Sequence, residues 1–447
     1  MDDLESNGRN TIKYPYETAD ILNARTWMEK YRESESAAEV KEGPTVGLPL
    51  PSFAPRYLFR KTVFPFGKLT LVSGRPGTGK TSLIFELLRW FISSQGGGTY
   101  IFAEGGRFNP HWKNCIIGKA LIDLGALAIR RAESLEGWQR IFSSWIDRFD
   151  HDFKEAGGVS FASCVALDSI TGAINESATK SIDDEGCAKL MFGADAKLIG
   201  QYIKWFTQRM YSWPISFVAA GHTKVNINDG LGGKTEYVPG GRDIEYYMSS
   251  HIRLKKLGTI ERQSVMDGQR VSLEMLKNSD GATGRKIFVE LISQIDKNGV
   301  EVGYWDWLSA SIELLAIGTT LNPAEKKIVE EVLPFESTNP THRTVTCKKL
   351  GLTKPTRFAE AGAVLESNQE ILGELYRRMG IQPCREFEEG MPFNEQLDRA
   401  ATEEAALAAA ANTLDTVAEV APAPDVIDAA EAESAKPARK GVRRRRS

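Results

Sequence analysis

The run Gly74-Arg75-Pro76-Gly77-Thr78-Gly79-Lys80-Thr81, followed by Ser82, spells G-x-x-x-x-G-K-[ST]. Glycines at these positions let a backbone turn tightly and approach phosphate oxygens closely. Backbone N–H groups and the N-terminus of a following helix then hold the phosphates. Lys80 neutralises the terminal phosphates and the Thr81 hydroxyl ligates Mg²⁺, so the cofactors expected are ATP and Mg²⁺. Twenty-four residues after Lys80, Glu104 ends the run Thr99-Tyr-Ile-Phe-Ala and precedes Gly105-Gly106. A carboxylate at the tip of a strand beside the phosphate loop can orient or deprotonate an attacking water; the plainer alternative is a surface acid after a strand. Cys164-Val-Ala-Leu-Asp168-Ser169 is an apolar run that delivers a carboxylate to the same magnesium. Ile215-Ser-Phe-Val-Ala-Ala-Gly-His222 is another strand pattern, whose terminal imidazole could hydrogen-bond a γ-phosphate or serve a structural purpose.

These groups need a scaffold that brings several strand ends together. Lys68–Ser73 has the length and apolar content of a strand, and Ser82–Ile92 that of a buried helix. From about Tyr57 to Ser309, strand-like runs alternate with helical patterns, which predicts an α/β core with a largely parallel central sheet. We read residues 1–56 as an N-terminal extension: an oligomerisation helix over Asp20–Glu39, then a Pro- and Gly-containing connector over Gly43–Pro55. Residues 57–303 are the ATPase core, and 304–397 a small, mostly helical accessory domain with helices at Ser309–Ala316, Ala324–Leu333 and Phe358–Met379. Residues 398–447 form an acidic, Ala-rich tail ending in Arg443–Arg446, too poor in apolar variety to build a core.

Composition excludes several classes. No run of the 447 residues approaches the length of apolar sequence that spans a bilayer, and Met1-Asp-Asp-Leu-Glu-Ser lacks the order of a signal peptide. Cys115, Cys164, Cys187, Cys347 and Cys384 are scattered without C-x-x-C spacing, which fits a reducing cytoplasm and predicts no zinc site. A formal net charge of −3 means that any nucleic-acid footprint must be local. Trp205, Trp213, Trp305 and Trp307 sit in apolar contexts and read as core.

In this order the elements resemble the RecA family of DNA strand-exchange ATPases. The likeness rests on the Lys80-to-Glu104 interval, on Asn109-Pro110 with Trp112, on the polar stretch Ile174–Cys187 with a long helix from about Ala188 to Tyr211, and on Pro239-Gly240-Gly241 through Arg253. Asn109 and Trp112 are similar to the family's adenine-contacting segment, with Asn in place of Asp and one extra residue. The resemblance covers residues 57–295; the later segments Tyr304–Ala316 and Phe358–Ile381 are similar to the bacteriophage, UvsX-type branch. It implies a helical homo-oligomeric filament with ATP between subunits, in which Lys277 reaches the neighbour's γ-phosphate. The second basic residue expected two positions later is Ser279, and Arg285 or Lys286 are candidate substitutes.

The resemblance also implies two DNA-contacting segments, Glu176–Cys187 and Lys224–Pro239. Their candidate contacts are Lys180, Lys224, Asn226, Asn228 and Lys234, with Gly240, Gly241 and Arg242 closing the second. Such segments hold single-stranded DNA through its phosphates, while ordinary surface loops are the plain alternative. The expected function is homologous pairing and strand exchange between single-stranded and duplex DNA in DNA recombination and repair. Single-strand-binding and loading proteins would be further partners, and the location cytoplasmic: at the nucleoid, or in the host cytoplasm if phage-encoded. A hexameric helicase on the same core and a non-catalytic recombination mediator are the rival readings.

Overall fold

The computed structural model describes residues 45–94, 96–103, 110–132, 134–156, 162–172, 176, 194–210, 213–226, 235–239, 242–262, 266–279, 281, 283–388, 391, 393 and 395–403. In chain order the strands are β1 (Val46–Pro49), β2 (Val63–Pro65), β3 (Leu69–Gly74), β4 (Gly97–Phe102), β5 (Leu127–Arg131), β6 (Ser163–Asp168) and β7 (Ile215–His222). They continue as β8 (Lys224–Asn226), β9 (Thr235–Tyr237), β10 (Ser250–Arg262), β11 (Met266–Asn278), β12 (Lys286–Ile295) and β13 (Glu301–Trp305). The last four are β14 (Ser337–Asn339), β15 (Thr344–Cys347), β16 (Leu352–Arg357) and β17 (Arg385–Glu386).

Among the described residues, nine strands make the central sheet in the order β13-β12-β11-β10-β3-β7-β6-β4-β5. From β10 to β5 every pairing is parallel, whereas β10 to β13 form an antiparallel extension. The fold is therefore mixed α/β with a large, mostly parallel sheet. Alternation along the strands explains its layering. Leu69 and Leu71 of β3, Val165 and Leu167 of β6, and Phe217 and Ala219 of β7 face one core. Their neighbours Val72, Cys164, Ala166, Val218 and Ala220 face the other. Trp138, Phe142 and Phe206, from the helices Leu135–Ala156 and Ala194–Met210, fill the first core. The helix Lys80–Ser93 fills the second with Ile84, Phe85, Leu88 and Phe91.

Three expectations change here. The strand leading toward Glu104, expected beside the phosphate loop, is β4; β7 and β6 stand between it and β3, because the chain returns to insert them there. The connector over Gly43–Pro55 is in part folded: β1 pairs with β2 and β17, and the helix Phe53–Phe59 buries Phe53, Tyr57 and Leu58. The helix expected over Phe358–Met379 is two helices, Phe358–Ser367 and Gln369–Met379. Asn368 separates them and caps the second, its Oδ1 accepting from the Ile371 N–H at 3.1 Å.

The region beyond Trp305 holds the helices Trp307–Ile317 and Pro323–Val332, and also an antiparallel sheet of β14, β15 and β16. Asn322 and Glu325 form a reciprocal capping box with Pro323 at the first helical position, so local sequence sets that boundary. The described residues up to Ala400 belong to one compact unit. The helix expected within Asp20–Glu39 lies outside the described residues, as does the tail beyond Glu403. Among the described residues, no helix is long and apolar enough to cross a membrane.

Candidate nucleotide site

At the carboxyl end of β3, residues Arg75–Gly79 turn into the helix that begins at Lys80. Gly77 has φ +75° and Gly79 φ +91°, left-handed conformations that a side chain would strain. A Cβ on Gly79 would also meet the Gln269 amide at 3.0 Å. The Lys80 ammonium is buried and donates to the carbonyls of Gly74 and Arg75, both at 3.0 Å. Thr78 Oγ1 donates to the Arg75 carbonyl at 2.8 Å, tying the loop to itself.

Thr81, in the first turn of that helix, donates from Oγ1 to Asp168 Oδ2 at 2.6 Å. Asp168 ends β6 and is 7 % exposed, and its Oδ2 also accepts from the Tyr100 hydroxyl at 2.9 Å. A hydroxyl and a carboxylate held this close are hard oxygen donors of the kind Mg²⁺ takes. They stand where the helix's first N–H groups leave donors for an anion. The residues present therefore fit a magnesium-bound triphosphate.

A cavity of about 550 Å³ opens over this loop. Gly77, Gly79, Lys80, Thr81, Ser82 and Asp168 line it, with His222 at the tip of β7. The antiparallel extension also lines it: Gly268 and Gln269 of β11, Leu291 and Ser293 of β12, and Glu301 of β13. Trp112 lines it too, donating from Nε1 to Ser82 Oγ at 2.6 Å. Its ring lies against Gly303, where a Cβ would come within 3.4 Å of it. The backbone N–H of His222 donates to Thr171 Oγ1 at 3.3 Å.

Other candidates lie elsewhere. Lys277 borders a second cavity of about 420 Å³ with His251, Arg253 and Glu245, and is absent from the lining of the first. Its ammonium donates to the carbonyls of Glu245 (2.5 Å) and Tyr246 (2.8 Å), and burial pushes its pKa down. Arg285 is not free to serve beside it. Its guanidinium is buried, donating to the carbonyls of Tyr57 (2.8 Å) and Met379 (2.7 Å) and to Glu325 (3.3 Å). Lys286 lies over the Phe288 ring.

The stems of the second expected DNA segment pair as an antiparallel ladder of β8 and β9, with Lys224 exposed opposite Tyr237. Beyond it the helix Arg242–Tyr247 presents Tyr246, 77 % exposed. At the start of the first segment, Glu176 accepts from Arg140 at 2.5 Å. Glu104, Asn109, Lys180, Asn228, Lys234, Gly240 and Gly241 lie outside the described residues, as do the side chains of Asn226 and Arg242. The long helix expected from Ala188 is described from Ala194 to Met210.

Sequence reasoning overlooked Tyr100, Gln269, Ser293 and Glu301. Tyr100 was legible: period-two alternation puts Tyr100 and Phe102 on one face of the run that was read for its terminal carboxylate. The other three reach the cavity through strand pairing with no local signature.

No family model matches the chain. It is similar to "Protein RecA" of Mycoplasma mobile, 20 % identical over 229 residues, 51 % of this chain and 63 % of that protein. It is also similar to "Protein RecA" of Symbiobacterium thermophilum, 21 % identical over 262 residues (58 % of this chain and 65 % of that one). A third relative is "DNA repair protein recA homolog 3, mitochondrial" of Arabidopsis thaliana, 21 % identical over 217 residues, 48 % and 46 % of the two chains. The chain thus spans less than two thirds of the length of each of these relatives. Over that shared span it resembles RecA proteins, and its mostly parallel α/β sheet is consistent with a RecA-like core.

Proposed function

We propose that the protein is an ATP-dependent homologous-recombination protein of the bacteriophage recombinase type. It forms filaments on single-stranded DNA, pairs that strand with homologous duplex and exchanges strands. The observation that carries the reading is the 2.6 Å contact of Thr81 with Asp168 at a phosphate loop on the floor of an open cavity. Similarity to RecA proteins supports the choice of this function among those that such a loop serves.

In this reading the N–H groups of residues 77–81 and the Lys80 ammonium bind the triphosphate. Thr81 and Asp168 hold Mg²⁺, which neutralises charge on the phosphates when bound. Glu104 accepts the proton of the attacking water, and Trp112, with Asn109, contacts the base. His222 senses the γ-phosphate from the end of β7 and passes its state to the Lys224–Pro239 segment two residues on. Lys277, on a separate cavity, serves the nucleotide of a neighbouring subunit. Single-stranded DNA lies along Lys180, Lys224, Asn226, Asn228, Lys234 and the Gly240-Gly241-Arg242 turn.

The mediator reading keeps one observation in its favour: Arg285 is held within its own subunit, leaving Lys277 without that companion. Strand exchange by the purified protein alone separates the two. Joint-molecule formation between circular single strands and homologous linear duplex, dependent on ATP, supports the recombinase. ATP binding without any exchange overturns it.

A further inference from the structure

Cysteine spacing alone predicts no zinc site, yet the fold assembles three metal-competent donors from two distant segments. His111 and Cys115 stand four residues apart on the helix Pro110–Ile117 and so share one face. Glu301 begins β13, far along the chain. His111 Nε2 lies 2.7 Å from Glu301 Oε2 and 3.5 Å from Cys115 Sγ, and the three donor atoms fall within 4.8 Å of one another. We propose that His111, Cys115 and Glu301 form a binding site for a divalent transition metal, Zn²⁺ by donor chemistry, separate from the Thr81–Asp168 pair.

Tetrahedral zinc, with bonds of about 2.0–2.3 Å to nitrogen, oxygen and sulfur, holds its donors about 3.3–3.7 Å apart. The imidazole–thiol separation already falls in that range. The imidazole–carboxylate separation must open by less than about 1 Å, and His111 is exposed and Glu301 half-exposed, with side chains able to rotate. A thiolate with an imidazole selects zinc over Mg²⁺ or Ca²⁺, which take oxygen donors. Ser293 Oγ donates to the other oxygen of Glu301 at 2.5 Å, a supporting contact that orients a ligating carboxylate. Three protein donors leave one position for water.

The consequence is mechanical. Trp112 follows His111, so a metal joining this helix to β13 fixes the wall that Trp112 and Glu301 give the nucleotide cavity. The assignment does not rest on the recombination reading, since it concerns metal binding in the absence of nucleotide.

The test is titration of the full chain with Co²⁺, free of nucleotide and Mg²⁺, followed by absorption spectroscopy. The expected result is a thiolate-to-cobalt charge-transfer band saturating at one equivalent and abolished by Zn²⁺. Cys115→Ser should remove the band, and His111→Ala should weaken binding by at least about tenfold, the lower bound for losing even a supporting contact. Cys384→Ser should change neither. Circular dichroism checks that the variants fold, and Zn²⁺ should raise the Tm of the unsubstituted chain but not of Cys115→Ser. Cobalt binding without a thiolate band, or a band that survives Cys115→Ser, overturns the proposal and leaves a surface His111–Glu301 ion pair.

Discussion

Replacing His251 by Gln should remove a defined part of the protein's acid sensitivity. His251 lies on β10 opposite Lys277 of β11, with Arg253 two residues further along the strand. It is 8 % exposed, and its Nε2 is 2.7 Å from Ser73 Oγ. Burial first, then the charges of Arg253 and Lys277, push its pKa down to about 4 from an ordinary 6.5. The folded state therefore refuses a proton that the unfolded chain accepts between these values. The contribution of His251 to stability is complete above pH 6.5 and falls as pH drops toward about 4, losing about 1.4 kcal/mol per unit. Between pH 7 and pH 5 the loss from this group is about 2 kcal/mol. Urea denaturation of both proteins across that range isolates it, because the carboxylates that titrate there are common to both. The difference in unfolding free energy between the native chain and His251→Gln should shrink by about 2 kcal/mol from pH 7 to pH 5. A difference constant with pH would show that His251 takes up its proton as readily in the folded protein as in the unfolded chain, and would refute the reasoning.

Other expectations follow from single contacts. A Cβ on Gly362 would meet the Leu308 carbonyl oxygen at 2.5 Å, so Gly362→Ala should destabilise by about 1–3 kcal/mol in denaturant titrations. Arg285→Ala removes the guanidinium that donates to Glu325 and to the Tyr57 and Met379 carbonyls and should cost about 3–5 kcal/mol. A fully stable variant with impaired hydrolysis would instead return Arg285 to the trans-acting role. Asp168→Asn keeps an acceptor for Thr81 and Tyr100 but removes the charge. Its fold should survive by circular dichroism, while the Mg²⁺ concentration needed for hydrolysis rises at least about tenfold.

What could be read in advance follows the range of the forces involved. The tight turn between β3 and the next helix was legible because its glycines answer a local backbone demand, seen in the positive φ of Gly77 and Gly79. The apolar run ending at Asp168 was legible as a strand for a different reason: six consecutive buried residues mark a strand covered on both faces. Which strand lies beside which was not, since the insertion of β6 and β7 between β3 and β4 depends on long-range crossovers. Nor was the share of the cavity lining that comes from the antiparallel extension, because the 13-residue strands β10 and β11 carry charged residues that mask their pairing. Arg285 was a candidate substitute for the second trans-acting base; its burial requires the meeting of residues 57, 325 and 379. Prolines 49, 51 and 55 suggested a connector where β1 and a buried helix stand.

The central claim is that a triphosphate held at Lys80 and Thr81 drives assembly on single-stranded DNA. ATP hydrolysis measured with and without single-stranded DNA, alongside electron micrographs of the same mixtures, tests it most directly. The account predicts DNA-stimulated hydrolysis and helical filaments that need ATP, with both lost in Lys80→Ala. Hydrolysis indifferent to DNA, closed rings in place of filaments, or normal turnover by Lys80→Ala would contradict it.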